Sequence, residues 1–465
     1  MSADRRTLVI GAVAMVALIL VGAVSSALFA TSPCAAIDPQ PVEAGSAGTD
    51  VASTLDETFP GLDQAARTAT EEAVTTLAGD LGAVTGVADV TGATDLAATD
   101  AGIAATGQTT TLLDGTGSDA LASVDVDEGR VVGGGDALFG LLVENELTGQ
   151  VDALQPLAVG ETTAAEDLLA GQTCQDTATV GTPLAFHLDA GDGQLLVLRI
   201  DEDGGDPDLE LRDPEQGRVW ATRLALGPGS AGLLGERLTA GLGADVVVTG
   251  FRTDPDEEPA PTEGFDEIVE AQVVTALSRS TGEPRWQLDR DALSEVVDDQ
   301  VPQAVEVRAV GEELAVVALR AVEGDEPTGA GAIGERLIGL DVEDGDVRWS
   351  LSLGADETLR DVLLEGPRTW LAVHDAGEGV EVAVVDTDGR RPRAQTDGER
   401  ARLAAHRGGV VAAADGSVLH VAREGTEASS SPLRGLDALA HDDRLTVLFG
   451  DPDGGPGALA VTFAG

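Results

Sequence analysis

Three stretches of this chain repeat one design: Leu211-Arg212-Asp213-Pro214-Glu215-Gln216-Gly217-Arg218-Val219-Trp220, Leu277-Ser278-Arg279-Ser280-Thr281-Gly282-Glu283-Pro284-Arg285-Trp286, and Leu340-Asp341-Val342-Glu343-Asp344-Gly345-Asp346-Val347-Arg348-Trp349. Each runs from an apolar strand end through a polar turn closed by Gly to a Trp three or four residues later. Val385-Asp386-Thr387-Asp388-Gly389 is a fourth copy without Trp, and Leu147-Thr148-Gly149 a fifth. Gly217, Gly282, Gly345 and Gly389 supply the positive φ of a tight hairpin turn. Trp220, Trp286 and Trp349 put a large apolar ring at a fixed offset on the following strand, where it can wedge between neighbouring sheets. One four-stranded sheet cannot bury both faces, so such units must stack, and radial closure hides their edges.

Working outward, short Val/Leu/Ala runs alternate with Gly/Asp turns from about residue 84 to the end. The turns place units near 83–117, 118–160, 182–227, 236–290, 303–353, 358–397, 400–432 and 434–463. The expectation is an all-β propeller over 83–465, of about eight blades, or seven, each four-stranded. The Trp-to-Trp spacings of 66 and 63 exceed a bare blade, and the excess lies in the acidic stretches Thr253 to Asp266 and Glu323 to Gly334. The stretch Phe186 to Leu211 also looks like a small β-sandwich, but its Gly217 and Trp220 fit the blade series.

The motif resembles the blade repeat of pyrroloquinoline-quinone-type (PQQ-like) β-propellers, and is clearest over residues 200–400. That resemblance implies a propeller fold shared by quinone enzymes and by non-enzymatic binding proteins. The enzymes of that kind need Ca²⁺ in the funnel, a catalytic Asp, a Trp beneath the cofactor and often adjacent cysteines. None matches residue by residue here, so the non-enzymatic branch is the expectation, with no cofactor. A quinone-dependent or other cell-envelope enzyme, its site in the funnel, is the alternative.

Ahead of the repeats, Arg5 and Arg6 precede Leu8 to Ala30, 23 residues without a charge, enough to span a bilayer as a helix. The flanking Arg put residues 1–7 in the cytoplasm and the remainder outside. The run is long for a cleaved signal peptide, so 8–30 reads as a signal anchor. Residues 31–60 read as a flexible stalk. Leu62, Ala66, Ala69, Ala73, Leu77 and Leu81 recur at helical spacing and predict an amphipathic helix within 61–82. Cys34 and Cys174 are the only cysteines. In an oxidising compartment one disulfide between them is the expectation.

Charge removes whole function classes. Asp plus Glu number 82 against 28 basic residues, all Arg, for a net −54. Such a surface repels phosphate backbones, so no nucleic acid is expected as partner. It also suits a halophilic, salt-rich habitat. Without Lys there is no P-loop and no Schiff base.

The remaining motifs read as structure. Gly329-Ala330-Gly331-Ala332-Ile333-Gly334 is followed by an apolar strand pattern rather than a helix, so it reads as a loop. Gly133-Gly134-Gly135 reads as a turn. His187, His374, His406, His420 and His441 have no metal-ligand spacing. Asp201 to Asp206 and Asp451 to Gly454 read as solvated turns, and no metal site is expected. The partner classes are the membrane, through 8–30, and an unidentified protein held by the propeller.

Overall fold

The computed structural model describes residues 40–464. Outside the description lie 108, 127–128, 136, 146–149, 159–174, 177–183, 201–207, 214–216, 224–237, 252–273, 297–300, 323–334, 367, 387–388, 408, 424–427, 432–433 and 452–454. The described chain is all-β apart from three helices: α1 (Val51–Thr58), α2 (Gln64–Leu81) and α3 (Arg290–Val296).

The strands form seven hydrogen-bonded sheets. Antiparallel meanders of four cover 93–125, 129–176, 184–223, 238–288, 301–352, 357–396, 401–431 and 435–464, the last completed by Val84–Asp89. The second and third meanders share one eight-stranded sheet through a single residue pair, Gln150 with Phe186. The first strands of successive meanders touch one another all the way round, and that of the last touches that of the first. The sheets are therefore the blades of a closed β-propeller: seven by hydrogen bonding, one of them of double width. The turn spacing predicts about eight four-stranded blades, or seven, and the hydrogen-bonded sheets of the described residues number seven.

Burial follows position in the blade. Second strands lie between neighbours on both faces: Gly409–Ala414 is buried throughout, as is most of Arg444–Gly450. These read as short unbroken apolar runs. Outer strands are half-solvated and alternate, as in Val347–Ser352.

The expected first unit, 83–117, is divided. Val84–Asp89 leaves it and pairs antiparallel with Ala458–Ala464, Val87 opposite Val461. Val84–Asp89 thus supplies the outer strand of the last blade, closing the ring in one ladder with Ala458–Ala464.

The expected stalk needs correction from residue 40 onward. Gln40–Pro41 pairs with Asp125 and Val124 on the edge of the first meander. Ala47–Gly48 pairs with Ala88 and Val87 on the edge of the last. α1 follows, capped by Asp50, whose carboxylate accepts from the N–H groups of Ala52 and Ser53. Leu55 and Phe59 are buried against Val87, Phe449 and Leu459. Two apolar side chains one helical turn apart, each worth roughly 1.5–3 kcal/mol when covered, explain why this segment docks.

α2 matches the predicted helix. Asp63 caps it, accepting from the Ala66 N–H at 2.8 Å, and Gly82 ends it at φ 107°. Its buried face is Thr70, Ala73, Val74, Leu77 and Leu81, while Ala69, expected inside, is exposed. Thr70 can face the core because its hydroxyl donates to the Ala66 carbonyl at 2.9 Å. α1 and α2 fill the outer space between the seventh and eighth meanders, packing on Ala404, Val411, Val418, Leu445 and Val461.

Among the described residues no helix is long and apolar enough to cross a membrane. Leu8 to Ala30, Cys34, Cys174, Leu147 to Gly149, Gly329 to Gly334 and the acidic stretches near 201–206, 253–266 and 323–334 lie outside the described residues.

Candidate functional site

The repeated Gly and Trp residues meet across blades. Trp220, on the outer strand of the third meander, donates its indole N–H to the carbonyl of Arg279 in the turn of the fourth, at 2.6 Å. Its ring covers Gly282, where a Cβ would sit 2.7 Å from Trp220 Cδ2 and Cε3. Trp286 repeats the arrangement one blade on: its N–H reaches the Val342 carbonyl at 2.9 Å, and its ring covers Gly345 at 2.9 Å. These glycines are required twice over, by φ of 72° and 80° and by the ring above them. Gly217 and Gly389 share the positive φ, 71° and 110°, but face open space. Trp349 breaks the series. It lies against its own cross-strand partner Gly339 and packs with Leu359 and Leu371 of the next meander. Trp370, outside the repeat, is buried on a second strand and donates to Glu365 Oε2 at 3.2 Å.

Arg279 ties the same two blades. Its guanidinium donates to Gln194 Oε1 at 2.8 Å, Asp192 Oδ2 at 3.1 Å and the Gly243 carbonyl at 2.8 Å.

A second recurring device lies on the inner strands, where sequence reasoning did not find it. Asp189, Asp361 and Asp437 each follow a β-bulge on the first strand of a meander. Each carboxylate reaches the first strand of the next meander: Asp189 accepts from Leu242 N–H at 2.8 Å, Asp361 from Leu403 N–H at 2.7 Å, and Asp437 from Leu96 N–H at 2.7 Å. Thr239 does the same for Val307 N–H at 2.8 Å. Asp189 and Asp437 also accept from the next residue of their own strand, each at 2.8 Å. Burial raises the pKa of all three against these donors. For Asp437 the rise, to about 7, is aided by nearby Asp95 and opposed by Leu96, Ala438 and Arg402. These carboxylates act as inter-blade latches. Among so many acidic residues, the bond to the next first strand distinguishes them, since Asp95 also follows a bulge on a first strand.

Glu210 is fully buried among Arg199 at 3.0 Å, Arg212 at 2.7 Å and Arg218 at 3.4 Å. Burial would raise its pKa, but Arg212 and Arg199 outweigh burial and lower it.

Two of the five histidines come together. His406 Nε2 donates to the Leu81 carbonyl at 2.9 Å, closing the C-terminal end of α2. His420 stands nearby, its pKa lowered by burial and by His406 against the pull of Asp80. Among the described residues no group of three or more His, Cys, Asp or Glu is arranged to hold a metal ion. Gly133 and Gly135 form the expected turn, at φ 113° and 71°.

No family model matches this chain, and no curated protein does. Solved structures are similar at low identity. BamB from Moraxella catarrhalis is 14% identical, with 79% of this chain and 95% of that one covered, at a TM-score of 0.40. Sqt1 from Saccharomyces cerevisiae is 10% identical, with 81% and 96% covered, at 0.45. The Dos1 propeller is 10% identical, with 81% and 94% covered, at 0.43. The strand pairing and the closed ring of first strands themselves show the propeller.

Proposed function

We propose that this chain is a membrane-tethered, extracytoplasmic scaffold of the PQQ-like, non-enzymatic kind, binding another protein through its propeller. The observation that carries the reading is how the buried polar groups are used. Asp189, Asp361, Asp437, Glu210 and Arg279 are each spent on latching strands or blades together. A ring stiffened in this way presents a fixed surface, which is what a recognition module requires. The tether follows from Leu8 to Ala30. Residues 31–39 can extend at most about 30 Å, and residue 40 is fixed on the rim at the first meander. The disc is therefore held by its rim, close to the bilayer.

The test is fractionation of the tagged full chain, followed by crosslinking from positions on the rim and on both faces. The expected result is retention in membranes through alkaline extraction and one protein crosslinked from a contiguous set of positions. A chain released by alkali, or crosslinks to no protein at any salt concentration, refutes the proposal. Adding the quinone with Ca²⁺ tests the enzymatic alternative, which predicts a rise in melting temperature of several degrees.

A further inference from the structure

The outer strands of the third to sixth meanders each end a sheet: Gly217–Arg223, Pro284–Leu288, Val347–Ser352 and Gly389–Thr396. Together they carry Arg218, Arg223, Arg285, Arg348, Arg390, Arg391 and Arg393, and no Asp or Glu. That is a quarter of the basic residues of a chain whose net charge is −54. Arg218, Arg223 and Arg348 are 55%, 61% and 59% exposed although each also pairs with a carboxylate of its own blade, Glu210, Asp208 and Asp341, and Arg285 and Arg391 are exposed too. Arg285 has no ion-pair partner among the described residues. Val347, which opens one of these strands, is the exposed large apolar side chain among the described residues.

The first and last meanders are built the other way. Their outer strands, Ala120–Asp125 and Val84–Asp89, each contain an Asp and no Arg, and both are already paired by short strands of this same chain. The molecule thus shows that an outer edge of its blades accepts an added strand; among the described residues the open edges of the third to sixth meanders are basic, while those of the second, Gln175–Asp176, and the seventh, Ala428–Ser431, carry no Arg.

Resting on the scaffold reading, we infer that the open edges of the third to fifth meanders bind an extended acidic segment of a partner protein as an added β-strand. Main-chain ladder bonds supply the attachment, and Glu or Asp on the added strand face the edge Arg across the ladder. A second copy of this chain is a poor occupant, because pairing two of its basic edges would set Arg opposite Arg. The sixth edge is blunted by Pro392, which has no N–H to donate.

The probe is a fluorescein-labelled (Thr-Glu)4 peptide, titrated by anisotropy against the full chain in non-ionic detergent. The controls are (Thr-Gln)4 and (Thr-Glu)4 with alternate backbone nitrogens methylated. The expected result is saturable binding of the acidic peptide. It should weaken about ten-fold for the neutral peptide and for R285Q/R348Q, and vanish on N-methylation. Unchanged circular dichroism shows that the variant is folded. Absent binding, equal binding of the neutral peptide, or binding that survives N-methylation overturns the inference. A crosslinked partner that binds R285Q/R348Q undiminished also overturns it and leaves the scaffold reading standing. Peptide binding by a chain that crosslinks to no protein does the reverse.

Discussion

Replacing four structurally related glycines by Ala separates backbone strain from the stacking of Trp on the next blade. All four have positive φ, so each substitution costs about 1–2 kcal/mol for the left-handed conformation, partly offset by lower entropy of the unfolded chain. At Gly217 and Gly389 nothing lies within 4 Å of the new methyl, so the net cost should stay near 1 kcal/mol. At Gly282 the methyl would sit 2.7 Å from Trp220 and 2.5 Å from Thr222 Oγ1, and at Gly345 2.9 Å from Trp286. Ordinary carbon contacts lie at about 3.5–4.0 Å, so ring and turn must part by most of an ångström. Overpacking of that size adds about 1–3 kcal/mol. G282A and G345A should therefore lose about 2–4 kcal/mol each, read as urea midpoints by circular dichroism. Trp220→Ala alone should be costly, but combined with G282A it removes the clash, so the pair should fall short of additivity by about 1–2 kcal/mol. If G282A and G345A cost no more than G217A, or if the double variant is additive, the stacking does not hold the blades.

Three further outcomes follow from the latches, the surface and the helices. Folded Asp437 keeps its proton to about pH 7, whereas the unfolded carboxyl releases it near 3.8. Folding therefore takes up a proton between those values, and stability from this group falls as pH climbs through the window and levels off above it. The melting-temperature difference between wild type and D437N should shrink from pH 4 to 7.5, and a flat difference would discount the buried latch. Because of the net charge of −54, thermal stability should rise steeply from 0.1 M to about 1 M NaCl as the Debye length shortens to about 3 Å; indifference to salt would argue against a halophilic surface. Leu77→Ala, at a fully buried position of α2, should cost about 2–5 kcal/mol in urea denaturation; a loss under 1 kcal/mol would mean that the helix packs loosely.

The sequence exposed what is local and hid what is distant. Gly282 and Trp286 stand at a readable offset within one hairpin, and that offset revealed the repeat. The partner of Trp220 lies 59 positions on, at Arg279, and no periodicity encodes it. Asp189, Asp361 and Asp437 were lost among 82 acidic residues, because a bulge depends on register with the neighbouring strand. Val84–Asp89 has ordinary strand patterning, and its transfer to the last blade is a matter of topology. α1 was missed because Val51–Thr58 is short and contains three β-branched residues, which favour strand over helix. α2 was legible because eighteen residues carry a sustained stripe. The edge Arg were visible as residues, but only sheet order shows that they share the rim.

Ring closure also bears on how such a molecule is made. Thr85 meets Thr462 across 377 positions, so the last ladder cannot form until synthesis delivers Ala458–Ala464. Until then the ring is open with its last blade unzipped, and closure is slow because its decisive pairing is the most distant one. Loss of Ala458–Ala464 would leave Val84–Asp89 without its mate and expose the open ring to proteases and aggregation.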